Sequence, residues 1–337
     1  MPTPNPYEFA DALEPKLREL YLELVKEARG RIPMAELQQA IASKNQAEVI
    51  RIVQAATGAT NPATVIAWRG VVEEVFGRTA MSTAARLGSR FGFQFNLFDP
   101  GVLGQIDALV ADQVLVGADT QVAIKNVVNR GWVEGITTYN QGRMIRSMVG
   151  PVPDHSDAAT NYLIGMRDAG VPEETAVRNY ELYQNRLTNW RAETISHTEN
   201  IRAANAGRVA TWVQMVTGGF LEPDRMWLKW FTADDDRLCD LCAPMDGQEI
   251  PFGIVDAGGV RHGPKFRSTE RGYPGEPDRK PKRYDTLKPD PYGIQRDKEG
   301  KFISVAKAMR PSPLIEVEYP PLHPRCRCDV RLIMRDK

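Results

Sequence analysis

Four cysteines carry most of the chemistry this sequence offers, and they come in two close pairs. Cys239-Asp240-Leu241-Cys242 is a C-x2-C, followed by the turn-forming run Ala243-Pro244-Met245-Asp246-Gly247. His323-Pro324-Arg325-Cys326-Arg327-Cys328 brings two more thiols and an imidazole close to the C-terminus. Side chains repeat every two residues along a strand, so Cys326 and Cys328 are expected to project from one strand face. Four thiolates in two pairs suit tetrahedral Zn2+, which takes sulfur and nitrogen donors in closed structural sites. The expected cofactor is a structural zinc held by Cys239, Cys242, Cys326 and Cys328, with His323 as an alternative ligand. Four reduced, partly buried thiols without metal are the competing reading. A disulfide within either pair is disfavoured by geometry, while one between the pairs stays open. In each version the role is structural, because the pairs staple the ends of a segment of more than 80 residues.

Other residues invite chemistry less strongly. Glu193, His197 and Asn200 fall at i, i+4 and i+7 and share a helix face, with Glu199 beside them. A polar cluster on the helix surface is the expected use, not catalysis. Asp234-Asp235-Asp236 reads as a solvated turn before the C-x2-C rather than a hard-cation site. From Arg261 to Lys301 there are 12 Lys/Arg and 7 Asp/Glu, a net of 12 − 7 = +5. Within it Lys280, Lys282 and Arg283 offer a DNA contact through charge alone, and intermixed acids make a solvated arm an equal expectation. No phosphate-binding Gly-rich loop, His-Glu-x-x-His or Gly-x-Ser-x-Gly is present. His155, His197, His262 and His323 are scattered. No enzyme is expected.

The elements that must position these residues are mostly helical. The chain has 337 residues with 43 basic and 43 acidic side chains, so its formal charge is zero and no whole-protein attraction to nucleic acid is expected. Its 42% hydrophobic content can fill a real core. There is no apolar run long enough for a membrane span and no secretory layout at the N-terminus, so synthesis and retention in a cytoplasm are expected. Leu13, Leu17, Leu20 and Leu24 form one stripe of a helix from about Pro15 to Arg29. Helices are also predicted from Met34, from Asn45, from Asn61-Pro62 (with Val65, Trp68, Val72 and Val75 on one face), over 79–87, 105–116 and 120–147, from Ser156, and from Pro172 to about Val216. Met226, Leu228 and Trp230 then alternate with Trp227, Lys229 and Phe231, a strand signal repeated over 314–319 and 325–334. The expected class is α+β: a helical N-terminal region (1–150), a long-helix region (151–219), and a small β module (220–337) in which the long helix packs on a short antiparallel sheet closed by the cysteines. A Gly/Pro-rich basic insertion (253–301) is expected as a loop or arm.

The order of these features resembles a known family. A helix carrying Thr198-Glu199 and Asn205-Ala206-Gly207 is followed by Trp230, then Asp235 ahead of Cys239-x2-Cys242 and Gly247, and finally Pro321-Leu322-His323-Pro324-Arg325-Cys326-Arg327-Cys328. This is similar to the Mu-F-like head morphogenesis family of tailed phages over about 176–332. One departure is His197, where the family usually has arginine. The resemblance implies a minor head protein of the virion, assembled in the host cytoplasm, associated with the portal or the major capsid protein, and able to accompany packaged DNA. A DNA-contacting packaging or ejection protein, or a nuclease or transferase toxin fused to a head-protein module, are the alternatives.

Overall fold

The computed structural model describes residues 7–58, 62–88, 92–111, 118–151, 153–232, 242–256, 259–267, 294–296, 302–305, 316–322 and 325–336. They form a mainly helical chain with a small antiparallel sheet, divided into two compact units, Met1–Gln214 and Met215–Lys337.

The first unit holds α1 (Glu8–Gly30), α2 (Met34–Ala42), α3 (Gln46–Gly58), α4 (Pro62–Gly88), α5 (Pro100–Ala111), α6 (Ala118–Val133), α7 (Thr138–Ser147), α8 (Pro153–Asp168) and most of α9 (Glu173–Thr217). α1 starts well before Pro15, so this proline lies inside the helix. It sits on the exposed side, where water can replace the hydrogen bond it cannot make. The buried stripe of α1 is Ala10, Leu17, Tyr21, Leu24, Val25 and Ala28, with Leu13 and Leu20 only half-buried. The stretch predicted over 120–147 is two helices. Thr137 ends the break by accepting the Asn140 N–H, and Glu173 accepts from the Thr137 N–H, the Thr137 hydroxyl and the Asn140 amide. The helices predicted over 62–78 and 79–87 are one, α4, which buries Trp68, Val71, Val72, Val75 and Phe76.

α1 packs on α4, α2 on α3 and α7, α4 on α5, and α6 on α7 and α8. The chain after α7 is held by side chains from α1 and α9. Arg29 donates through Nε to the Val149 carbonyl (2.9 Å), through Nη2 to the Ser147 carbonyl (2.8 Å) and Thr188 Oγ1 (3.0 Å), and through Nη1 to Asn185 Oδ1 (2.8 Å). The Tyr21 hydroxyl donates to the Gly150 carbonyl, and Arg191 donates to the Gly150 and Pro151 carbonyls. These donors satisfy carbonyls that a helix C-terminus leaves unbonded. Burial, followed by the charge of Arg146, lowers the Arg29 pKa to about 10. Arg29→Met removes all four bonds and leaves buried carbonyls without donors. A loss of about 2–4 kcal/mol in urea unfolding is expected; an unchanged midpoint would contradict the clamp.

α9 runs for 45 residues, about 68 Å at 1.5 Å per residue. Its segment from Asn200 to Val213 is almost wholly buried, apart from half-buried Arg202. Within it Thr211, and just before it Thr194, Ser196 and Thr198, are buried because each hydroxyl donates to a carbonyl one turn back. Gly207 lies where α9 meets α4 backbone to backbone: a Cβ there would stand 2.4 Å from the Phe76 carbonyl oxygen. Thr211 Oγ1 donates across the same contact to the Ala80 carbonyl at 3.1 Å.

The second unit contains β1 (Met226–Phe231), β2 (Glu249–Pro251), β3 (Ile254–Val255), β4 (Arg261–His262), β5 (Phe266–Arg267), β6 (Ile294–Arg296), β7 (Phe302–Val305), β8 (Glu316–Val317) and β9 (Asp329–Met334). β1 is central in an antiparallel β2-β1-β9 sheet, with Trp227 opposite Ile333 and Trp230 opposite Val330. β3–β4, β5–β8 and β6–β7 are separate antiparallel pairs. The start of the segment expected as a loop from Gly253 is therefore ordered, because Phe266 has apolar surface to bury. Its ring meets Trp230 edge-on at 5.1 Å. β1 alternates strictly between buried Met226, Leu228, Trp230 and half-buried Trp227, Lys229, Phe231. Arg335 stacks on Trp227 at 3.7 Å and Arg331 on Phe231 at 4.1 Å, so cations cover the outward aromatic faces. Among the described residues no helix is long and apolar enough to cross a membrane.

Candidate metal centre

The turn after β1 is built to return one cysteine to the sheet. The Trp230 N–H donates to the Gln248 carbonyl (2.9 Å), and the Gly247 N–H donates to the Trp230 carbonyl (3.0 Å). Gly247 has φ 75°, a left-handed conformation open to glycine at little cost. Asp246 Oδ1 accepts the Thr232 N–H at 2.9 Å and ties the two arms of the turn together. Cys242 leads into a single 3-10 turn, Ala243–Met245, whose Met245 is fully buried.

The second pair arrives from the other end of the unit. Cys326 and Cys328 do not lie on a strand, contrary to expectation: both precede β9, in irregular backbone after Arg325, whose φ is 63°. A left-handed turn before the sheet, rather than pleat alternation, therefore precedes the two thiols. They nevertheless converge with Cys242 of the first pair. Cys242 Sγ is 3.6 Å from Cys326 Sγ, and the three sulfurs of Cys242, Cys326 and Cys328 lie within 4.8 Å of one another. All three residues are buried. Cys239 and His323 lie outside the described residues, as do residues 234–236 and Lys280, Lys282 and Arg283.

The donor set fits a thiolate-bound metal on three counts. A tetrahedral zinc with bonds of about 2.3 Å requires sulfur–sulfur edges of about 3.8 Å, close to the observed separation and far beyond a disulfide bond. Cys326 is already favoured as a thiolate: hydrogen bonds from Cys242 and then Cys328, aided by the backbone N–H groups of Leu322 and Cys328, outweigh burial and lower its pKa. Sharing a proton with Cys326 raises Cys242. Cys242 lowers Cys328, but Cys326 and burial outweigh it, so Cys328 is also raised. Three buried sulfurs without a cation thus keep two protons, whereas a dication would favour three thiolates. The Trp230 indole N–H is the third count. It is buried and lies where a hydrogen bond from it favours ionised Cys328. Donors of this kind orient ligands around metal sites. The sequence marked Trp230 as one face of a strand and as part of the motif order, but not as a neighbour of the thiols; its place beside them follows from the β1–β9 register.

A second group of ligand-type side chains lies in the helical unit. His197 Nδ1 is 3.0 Å from Glu14 Oε2, with Asp11 close by. Glu193 faces Arg18 at 3.6 Å, and the Asn200 amide donates to the Ala10 carbonyl at 3.2 Å. The Glu193-His197-Asn200 face is therefore shared, as expected, and it fastens α9 to α1. Glu199 pairs instead with Arg202.

No family model, no curated protein and no solved structure matches the chain.

Proposed function

We propose that this chain is a minor head protein of a tailed phage: a non-enzymatic component of head assembly in the host cytoplasm that stays in the virion head and binds the portal or the inner face of the major capsid shell. The observation that carries the reading is the convergence of Cys242 with Cys326 and Cys328 from opposite ends of one small unit. That clasp supports the Mu-F-like motif order read from the sequence, in which a C-x2-C and a closing His-Pro-x-Cys-Arg-Cys flank an insertion. The same unit places Gly247 and Asp246 in the turn that presents Cys242, so the spacing after the C-x2-C has a structural use.

In this reading Cys242, Cys326 and Cys328 hold a structural zinc, with the fourth ligand from Cys239 or His323. The metal supplies a cross-link between distant chain segments, and the buried, closed setting suits a structural role more than a catalytic one. Purified particles test the assignment. The chain should co-purify with intact heads at a fixed low copy number and be locatable near the portal by imaging; heads that lack it would refute the proposal. Elemental analysis of the isolated protein should give about one zinc per chain.

A further inference from the structure

A cleft of about 450 Å3 opens in the helical unit between α1, α7 and α9, away from the cysteines. Its walls carry three cations, Lys26, Arg29 and Arg146, and one carboxylate, Glu181. That carboxylate is already committed: Arg143 grips it with two hydrogen bonds of 3.1 and 2.6 Å. Lys26 has only a loose, exposed pairing with Glu23 at 3.8 Å.

Arg29 is the informative residue. It is largely buried, and its four acceptors are all neutral: two carbonyls, the Asn185 amide oxygen and the Thr188 hydroxyl. A guanidinium has five N–H donors, so one, on Nη1, is left over. Asn185 gives its oxygen to Arg29 and keeps its amide donors. Arg146 is half-buried on α7 and has no ion-pair partner among the described residues. Two guanidiniums thus stand together in a partly desolvated cleft without a free anion. Like charges brought together out of water raise each other's cost, and the effect of Arg146 on Arg29 is visible in the lowered Arg29 pKa. An oxyanion between them would turn that repulsion into charge-assisted hydrogen bonding, the strongest kind available to arginine.

We propose that this cleft binds a small, multiply charged oxyanion of the phosphate type, gripped by Arg146 and Lys26 over the fixed cationic floor of Arg29. The cleft is larger than a single inorganic phosphate needs, so a phosphorylated small molecule or a pyrophosphate fits better.

Pyrophosphate titrated calorimetrically into the full-length protein at low ionic strength is the test. Saturable binding is expected, weakened by about tenfold or more in both Arg146→Gln and Lys26→Gln. Arg29 is left intact because it anchors the end of α7. Circular dichroism and ligand-free melting should match the native protein in both variants, since neither side chain holds the fold. Absence of saturable binding in the native protein would overturn the proposal, as would equal affinity in the native protein and both variants.

Discussion

Cys326→Ser is expected to release a zinc held by the proposed clasp and to loosen the β unit while leaving the helical unit folded. Cys326 is the most ionised thiol of the cluster and is bonded to both other sulfurs. Serine keeps the size but lacks a thiolate, and an alkoxide is not available near neutral pH. If zinc holds the clasp, removing this ligand should cost on the order of 5 kcal/mol, because metal binding in such sites is folding energy. Bound zinc should fall from about one to below about 0.1 equivalents. Hydrogen exchange should show β1 and β9 losing protection together, since Trp230 and Val330 face each other across the register, while α4 keeps its protection. If the thiols are merely buried and reduced, the same variant should cost only about 1–2 kcal/mol, and protection should barely change. The two outcomes separate a metal clasp from three packed cysteines without reference to any particle.

Gly207→Val should be the most damaging single change in the helical unit. The Cβ it introduces is aimed at the Phe76 carbonyl oxygen, 2.4 Å away, and a backbone atom cannot rotate aside. α9 and α4 would have to separate, loosening the Thr211–Ala80 bond as well. The surrounding side chains, Ala203, Ala204, Ala206 and Ala210, are small and buried, so they have no long arm to retract. Overpacking of a close backbone contact is expected to cost about 3–5 kcal/mol, a fall of roughly 10 °C in Tm for a unit of this size. Gly165→Ala on α8 is the matched comparison: nothing lies within 4 Å of its Cβ position, and ordinary helix propensity should make it neutral or stabilising by about 1 kcal/mol. Equal melting of the two variants would rule out the close contact.

Much of the architecture was legible before any coordinates, and the exceptions have physical causes. β1 could be delimited because one face of the strand is buried and the other carries Lys229, which is the pattern alternation detects. The starts of α2 and α3 were similarly visible. Helix ends were read less well where side chains from far away decide them. The break before α7 depends on Glu173 accepting from Thr137 and Asn140, and the α1 stripe includes Tyr21 because its hydroxyl bonds to Gly150. The approach of Cys242 to Cys326 and Cys328 was anticipated from donor chemistry, but the mechanism was not. Pleat alternation was the argument, whereas the thiols lie before the strand, following a left-handed turn at Arg325. The Glu14–His197 contact spans 183 positions, and nothing in the local pattern of either helix points to the other. The charged cleft is invisible to sequence for the same reason: Lys26 and Arg29 on α1 meet Arg146 from α7, far along the chain, and each looks like an ordinary surface cation.

The pairing of β5 with β8 brings Phe266 opposite Val317, so the two ends of the intervening segment are held side by side. Lengthening a closed excursion raises its entropy cost only logarithmically, by about 0.6 kcal/mol for each doubling. The clasp and sheet therefore set no strict length for the segment between β5 and β8. A reporter peptide inserted between β5 and β8 is therefore expected to leave the cluster of Cys242, Cys326 and Cys328 in place.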